Sequence, residues 1–95
     1  MHKAVWNGEI LAESTSIKNI NGKNFFPLKS INKQYFKKSY THRVDLNVGT
    51  ADFYNIKVND KTMWNAAWYY PHPEKPAMDL KGYVAFGSDV DVVNS

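Results

Sequence analysis

Two Asn-Gly pairs fall within the first 26 residues, Asn7-Gly8 and Asn21-Gly22, and each stands between short runs of strand-forming residues. Both positions of a two-residue hairpin turn require positive φ, which Asn and Gly tolerate and most side chains do not. These pairs therefore commit the chain to antiparallel hairpins. Lys3 to Asn7 turns back into Glu9 to Glu13, and Ser16 to Ile20 turns back into Lys23 to Phe26, where Pro27 stops the run. The expectation is an antiparallel meander over this half.

The second half carries the same signal in another form. Thr50 to Val58 alternates, with Ala51, Phe53 and Asn55 on one face and Asp52, Tyr54, Ile56 and Val58 on the other. Asn59-Asp60-Lys61 is a turn, and Thr62 to Tyr70 returns as the partner strand. There Trp64, Ala66, Trp68 and Tyr70 are expected on one face, opposite Met63, Asn65, Ala67 and Tyr69. Both faces hold large groups, so this strand is expected at the centre of a sheet. Lys37 to Val48 reads as a strand and then a loop ending at Gly49, while Tyr83 to Phe86 and Val90 to Val93 supply the last strands. Ser30 is positioned to cap a short helix within Leu28 to Phe36, and Pro76 opens a second helical turn through Leu80 that Gly82 ends. The sum is a single mainly-β domain over residues 1–95, with about seven to nine short antiparallel strands and one or two short helices.

Ninety-five residues at 43% hydrophobic content support one modest core, and the absence of cysteine excludes disulfides, thiolate zinc sites and cysteine nucleophiles. Packing alone must hold the domain, which gives most of its aromatic residues (15% of the chain) a structural duty. Trp6 and Trp64 are read as core. The start of the chain has no apolar run of the signal-peptide type and no segment approaches about 20 apolar residues, so the expectation is a soluble cytoplasmic protein without a membrane partner. The net charge of +3 comes from lysine, with Arg43 the single arginine. Five lysines between Lys23 and Lys38 are better explained as a solvated face than as a nucleic-acid reader, because base and phosphate readers favour arginine. No specific nucleic-acid binding is expected.

Dense matching blocks carry a family resemblance. These are Trp6-Asn7-Gly8 with Leu11-Ala12-Glu13-Ser14, Phe26-Pro27, Gly49-Thr50-Ala51 with Tyr54, Ala66-Ala67-Trp68-Tyr69-Tyr70-Pro71, and Lys81-Gly82-Tyr83-Val84-Ala85-Phe86. By them the chain resembles the domain of unknown function 427 family, small bacterial and fungal proteins sometimes labelled nucleotidyltransferase-like. The resemblance implies a β-tent fold of the Mss4-like architecture, some of whose members bind zinc through cysteine pairs or hold a small ligand in an aromatic cage. It implies no established reaction. Family members commonly read Cys-Pro-aromatic-Lys-Gly before the Gly-Thr-Ala turn, where this chain has Asp45-Leu46-Asn47-Val48-Gly49. Asp45 taken alone reads as a loop-solvated carboxylate.

Gly87-Ser88-Asp89-Val90-Asp91 echoes the parts of a nucleotidyltransferase site, but the spacing is collapsed and no third carboxylate stands nearby. Asp89 and Asp91 read more simply as the exposed side of a terminal edge strand. His2, His42 and His72 are too dispersed for metal-ligand spacing, so no metal and no cofactor are expected. What remains is the aromatic cluster. A cleft of Trp68 and Tyr70 is expected, with Tyr54 opposite, Lys81 and Tyr83 at the rim and His72 in a Pro71-His72-Pro73 wall. The favoured reading is a domain that binds a small polar or aromatic ligand there. One alternative is a transferase or hydrolase acting on a nucleotide-like molecule, using Tyr70, His72 and Lys81. Another is a protein-interaction domain.

Overall fold

The computed structural model describes residues 1–95 as nine antiparallel strands in two sheets. They are β1 (His2–Trp6), β2 (Glu9–Ser14), β3 (Lys18–Ile20), β4 (Lys23–Pro27), β5 (Phe36–Asp45), β6 (Gly49–Val58), β7 (Lys61–Tyr69), β8 (Tyr83–Phe86) and β9 (Asp91–Asn94). A three-stranded sheet has the order β2-β1-β9, and a six-stranded sheet the order β3-β4-β8-β7-β6-β5. The mainly-β expectation is met.

Both Asn-Gly turns form as their chemistry requires, with φ of 52° and 79° at Asn7 and Gly8 and 51° and 79° at Asn21 and Gly22. The hairpins they close lie in different sheets, however, so the first 26 residues do not form one meander. The chain passes from sheet to sheet between β2 and β3. As expected, β7 is central, between β8 and β6.

The six-stranded sheet is buried on both faces. On one, Phe26, Phe36, Ile56, Val58, Ala67, Val84 and Phe86 meet Ala4, Leu11 and Ala12 of the small sheet. On the other, Phe25, Ala51, Phe53, Trp68, Tyr70 and Ala85 pack with Ala77 and Leu80 of the 3₁₀ segment Lys75–Leu80. That segment carries Pro at its start and precedes Gly82 at φ 81°, as its residues foretell.

Leu28 to Phe36 does not form one helix. Two single 3₁₀ turns, Leu28–Ser30 and Lys33–Tyr35, flank an extended Ile31, which bridges to Ala12. The Asn32 N–H donates to the Leu11 carbonyl, so pairing with β2 wins over helical continuation. Ser30 donates its hydroxyl to the Pro27 carbonyl at 2.6 Å and caps nothing.

Two bulges bend the sheet about β6. Three β5 residues, Ser39 to Thr41, stand opposite Phe53 alone, and three β7 residues, Trp64 to Ala66, opposite Asn55 alone. The bulges are joined: the Ser39 hydroxyl donates to Asn65 Oδ1 at 2.6 Å, and the Asn65 N–H donates to Asn55 Oδ1 at 2.7 Å. Asn65 has φ of 52°, which breaks the expected alternation. Trp64 is thereby turned out to solvent, 73% exposed, contrary to its reading as core, while Trp6 is half-buried against the first core. Two extra residues restore parity, so Trp68 and Tyr70 still share a face.

Candidate functional site

Trp68 pairs with Phe53 across β7 and β6, and their rings lie 5.9 Å apart at 41°. Arg43 of β5 pairs with Ala51, which sets its side chain on the same face. Its guanidinium carbon lies 5.0 Å from the Trp68 ring centre and 5.3 Å from that of Phe53, within cation–π range. Two residues on, Asp45 accepts a two-pronged bond from Arg43, Nε to Oδ1 at 2.7 Å and Nη2 to Oδ2 at 2.9 Å. The Tyr70 hydroxyl donates to Asp45 Oδ2 at 2.7 Å. Asp45 is therefore no loop-solvated carboxylate. It is the hub of an Arg43–Asp45–Tyr70 network.

The network lines a groove of about 440 Å³ together with Ile20, Lys23, Phe25, Val48 and Trp68. Trp68 and Tyr70 are largely buried, 9% and 6% exposed, yet they border open space rather than closing it. The Lys23 ammonium stands 5.7 Å from the Trp68 ring centre and has no carboxylate partner. Lys23 and Arg43 against Asp45 leave one net positive charge in the groove.

Electrostatics follow from these contacts. The hydrogen bonds from Arg43 hold Asp45 below the usual carboxylate range, against the opposing effect of burial. Burial pushes the Tyr70 phenol up, and its bond to Asp45 adds to the rise. Arg43 is raised in turn by Asp45. The network stays ionised as Arg⁺, carboxylate and neutral phenol across the physiological range.

The six residues expected to share one cleft are distributed. Trp68 and Tyr70 line this groove. Tyr54 pairs with Ala67, on the opposite face of the sheet, where it stacks on Tyr69 at 5.1 Å and 22° and meets Phe36 edge-on at 5.5 Å. There it borders a recess of about 490 Å³ with Leu28, Lys29, Ile31 and Lys33. Tyr54 is raised first by burial and then by Tyr69. The alternation of β6 already separates Tyr54 from Phe53, so Tyr54 is not across from Trp68. His72 lines a polar groove beside Asp52, Tyr83 lies half-buried beneath the Lys18 ammonium at 4.4 Å, and Lys81 is exposed without an ion pair. Tyr70, His72 and Lys81 therefore border no common space.

Arg43, Asp45 and Lys23 were not among the expected site residues. The spacing of Arg43 and Asp45 placed them on one face, but only the β5–β6 register shows that this face is the one holding Trp68. Lys23 looked like one of many solvated lysines, and its position over Trp68 depends on β4 lying two strands from β7. Asp89 and Asp91 are exposed beside buried Val90 as expected, but Asp89 lies in the turn before β9 and only Asp91 is on the strand. No group of three or more His, Cys, Asp or Glu side chains is arranged to hold a metal ion, and no helix is long and apolar enough to cross a membrane.

No curated protein matches the chain. A family model described as "Domain of unknown function (DUF427)" matches residues 2–95, and the chain belongs to that family.

Proposed function

We propose that this chain is a small-ligand-binding domain whose site is the groove between Trp68 and the Arg43–Asp45–Tyr70 network, and that it takes a flat anionic molecule. The observation that carries this reading is the Lys23 ammonium, left without a carboxylate beside an aromatic wall. A carboxylate or phosphate on the ligand completes that cation, and the flat part of the ligand lies along the Trp68 edge and the guanidinium plane. The groove volume falls within the range of small-molecule pockets. Its polar members are few and fixed: the two-pronged Arg43–Asp45 bond and the Tyr70 hydroxyl restrain their rotamers before a ligand arrives, which lowers the ordering cost of binding.

A thermal-shift panel of aromatic carboxylates, nucleoside monophosphates and neutral aromatic amides tests the reading. Anionic members are expected to raise the melting temperature in a concentration-dependent way, and Lys23→Gln is expected to abolish the rise without altering the unliganded melt. Stabilisation by the neutral amides alone, or equal stabilisation of Lys23→Gln, would refute it.

A further inference from the structure

The opposite face of the β5–β6 hairpin holds a second constellation. His42 pairs with Asp52 across the two strands, and His42 Nδ1 lies 2.6 Å from Asp52 Oδ1. An ionised carboxylate only accepts, so the neutral imidazole carries its proton on Nδ1 and keeps the Nε2 lone pair. Asp52 is anchored within β6 and mostly covered, whereas the His42 ring is half exposed. The ring and its partner border a groove of about 510 Å³ whose other walls are Thr50, Pro71 and His72.

The second imidazole is held there by the backbone. Gly49 has φ of 135°, and a Cβ at that position would come within 3.1 Å of the His72 carbonyl oxygen. The Glu74 N–H also donates to the Val48 carbonyl at 2.7 Å. Prolines on both sides of His72 fix φ at Pro71 and Pro73. The turn carrying His72 is thus seated against the start of β6, beside the His42–Asp52 pair.

We propose that His42, Asp52 and His72 form an acid–base site that hydrolyses small neutral carboxylic esters. The class of substrate follows from the charges. No lysine or arginine lines this groove, and Asp52 contributes a carboxylate, so a phosphate ester would meet repulsion with nothing to offset it. In the step, a water oxygen forms a bond to the ester carbonyl carbon while its proton passes to His42 Nε2. The carbonyl π pair moves onto its oxygen, which accepts hydrogen bonds from a ring N–H of His72 and from the Thr50 hydroxyl. Collapse re-forms the carbonyl and breaks the carbon–oxygen bond to the alcohol. The departing oxygen takes the proton back from His42, releasing acid and alcohol and restoring the site. Asp52 is a positioning residue: it holds the tautomer and steadies the imidazolium.

Hydrolysis of p-nitrophenyl acetate tests this, with an equal concentration of free imidazole as the background and far-UV circular dichroism confirming each variant's fold. The expected result is saturable turnover above background, with kcat/KM lowered about 10²- to 10⁴-fold in His42→Gln. Asp52→Asn is expected to lower kcat while leaving KM unchanged. In ¹⁵N spectra it should replace a single His42 Nδ1–H tautomer with a mixture, which a merely structural role in hydrolysis would not tie to kcat. Non-saturating hydrolysis no faster than imidazole, undiminished turnover in His42→Gln, or preference for p-nitrophenyl phosphate would overturn the proposal. Ligand binding in the other groove is read by the thermal-shift panel and hydrolysis here by released p-nitrophenol, so the two proposals fail separately.

Discussion

At the scale of single residues, Asp45 is the hub of the groove beside Trp68. Its folded pKa is depressed, so the stability it confers is present above the unfolded value near 3.8 and is lost as pH falls through the folded value. Asp45→Asn is therefore expected to lower the melting temperature at pH 6 to 7, with the gap to the parent protein closing below about pH 4. Melting curves across pH 2 to 7 check this, and a gap that widens in acid would contradict the sign. Removing only the phenol oxygen is a milder change. Tyr70→Phe leaves the two-pronged bond with Arg43 intact and takes away one hydrogen bond to a partly solvated carboxylate, an expected loss of about 1 kcal/mol in urea denaturation. Trp64 gives the contrasting case. Exposed on its bulge, it is expected to be replaceable by Phe within about 0.5 kcal/mol, while the red-shifted and most readily quenched part of the tryptophan emission disappears.

At the scale of elements, the joined bulges tie β5, β6 and β7 to one another. Asn65 accepts from Ser39, draws the Asn55 amide oxygen and adopts φ of 52°, all at once. Asn65→Ala is expected to cost about 1–2 kcal/mol from the left-handed backbone alone, and Asn65→Gly less, in denaturant titration. The hairpin turns were legible in the sequence because Asn-Gly encodes its own backbone geometry. The bulges were not, because their chemistry joins Ser39, Asn55 and Asn65 from three strands, and no local pattern announces them. The same limit explains the Leu28 to Phe36 segment. Its helical spacing is real, but Ile31 and Asn32 pair with β2, and that tertiary contact prevails over a weak local preference.

At the scale of the whole molecule, the six-stranded sheet acts as a partition with different chemistry on each side. Period-two alternation made the facing of Trp68, Tyr70, Phe53 and Tyr54 readable one strand at a time. The assembly of a site needed strand order as well, which brings the β3–β4 hairpin and β5 to Trp68 and carries Tyr54, Asp52 and His42 to the other side. Two members of the expected cleft therefore line the groove beside Trp68, and two of its charged members, Lys23 and Asp45, read as solvated in the sequence. The proposed binding of a flat anion in this groove runs through Trp68, Arg43 and Lys23. A ¹H–¹⁵N titration with an aromatic carboxylate tests it most directly, because each of the three indole N–H groups reports separately. Saturable shifts of the Trp68 indole and the Arg43 Nε–H are expected, with Trp6 and Trp64 unmoved and the shifts lost in Lys23→Gln. Shifts confined to exposed Trp64, or none at Trp68 at saturating ligand, would contradict it.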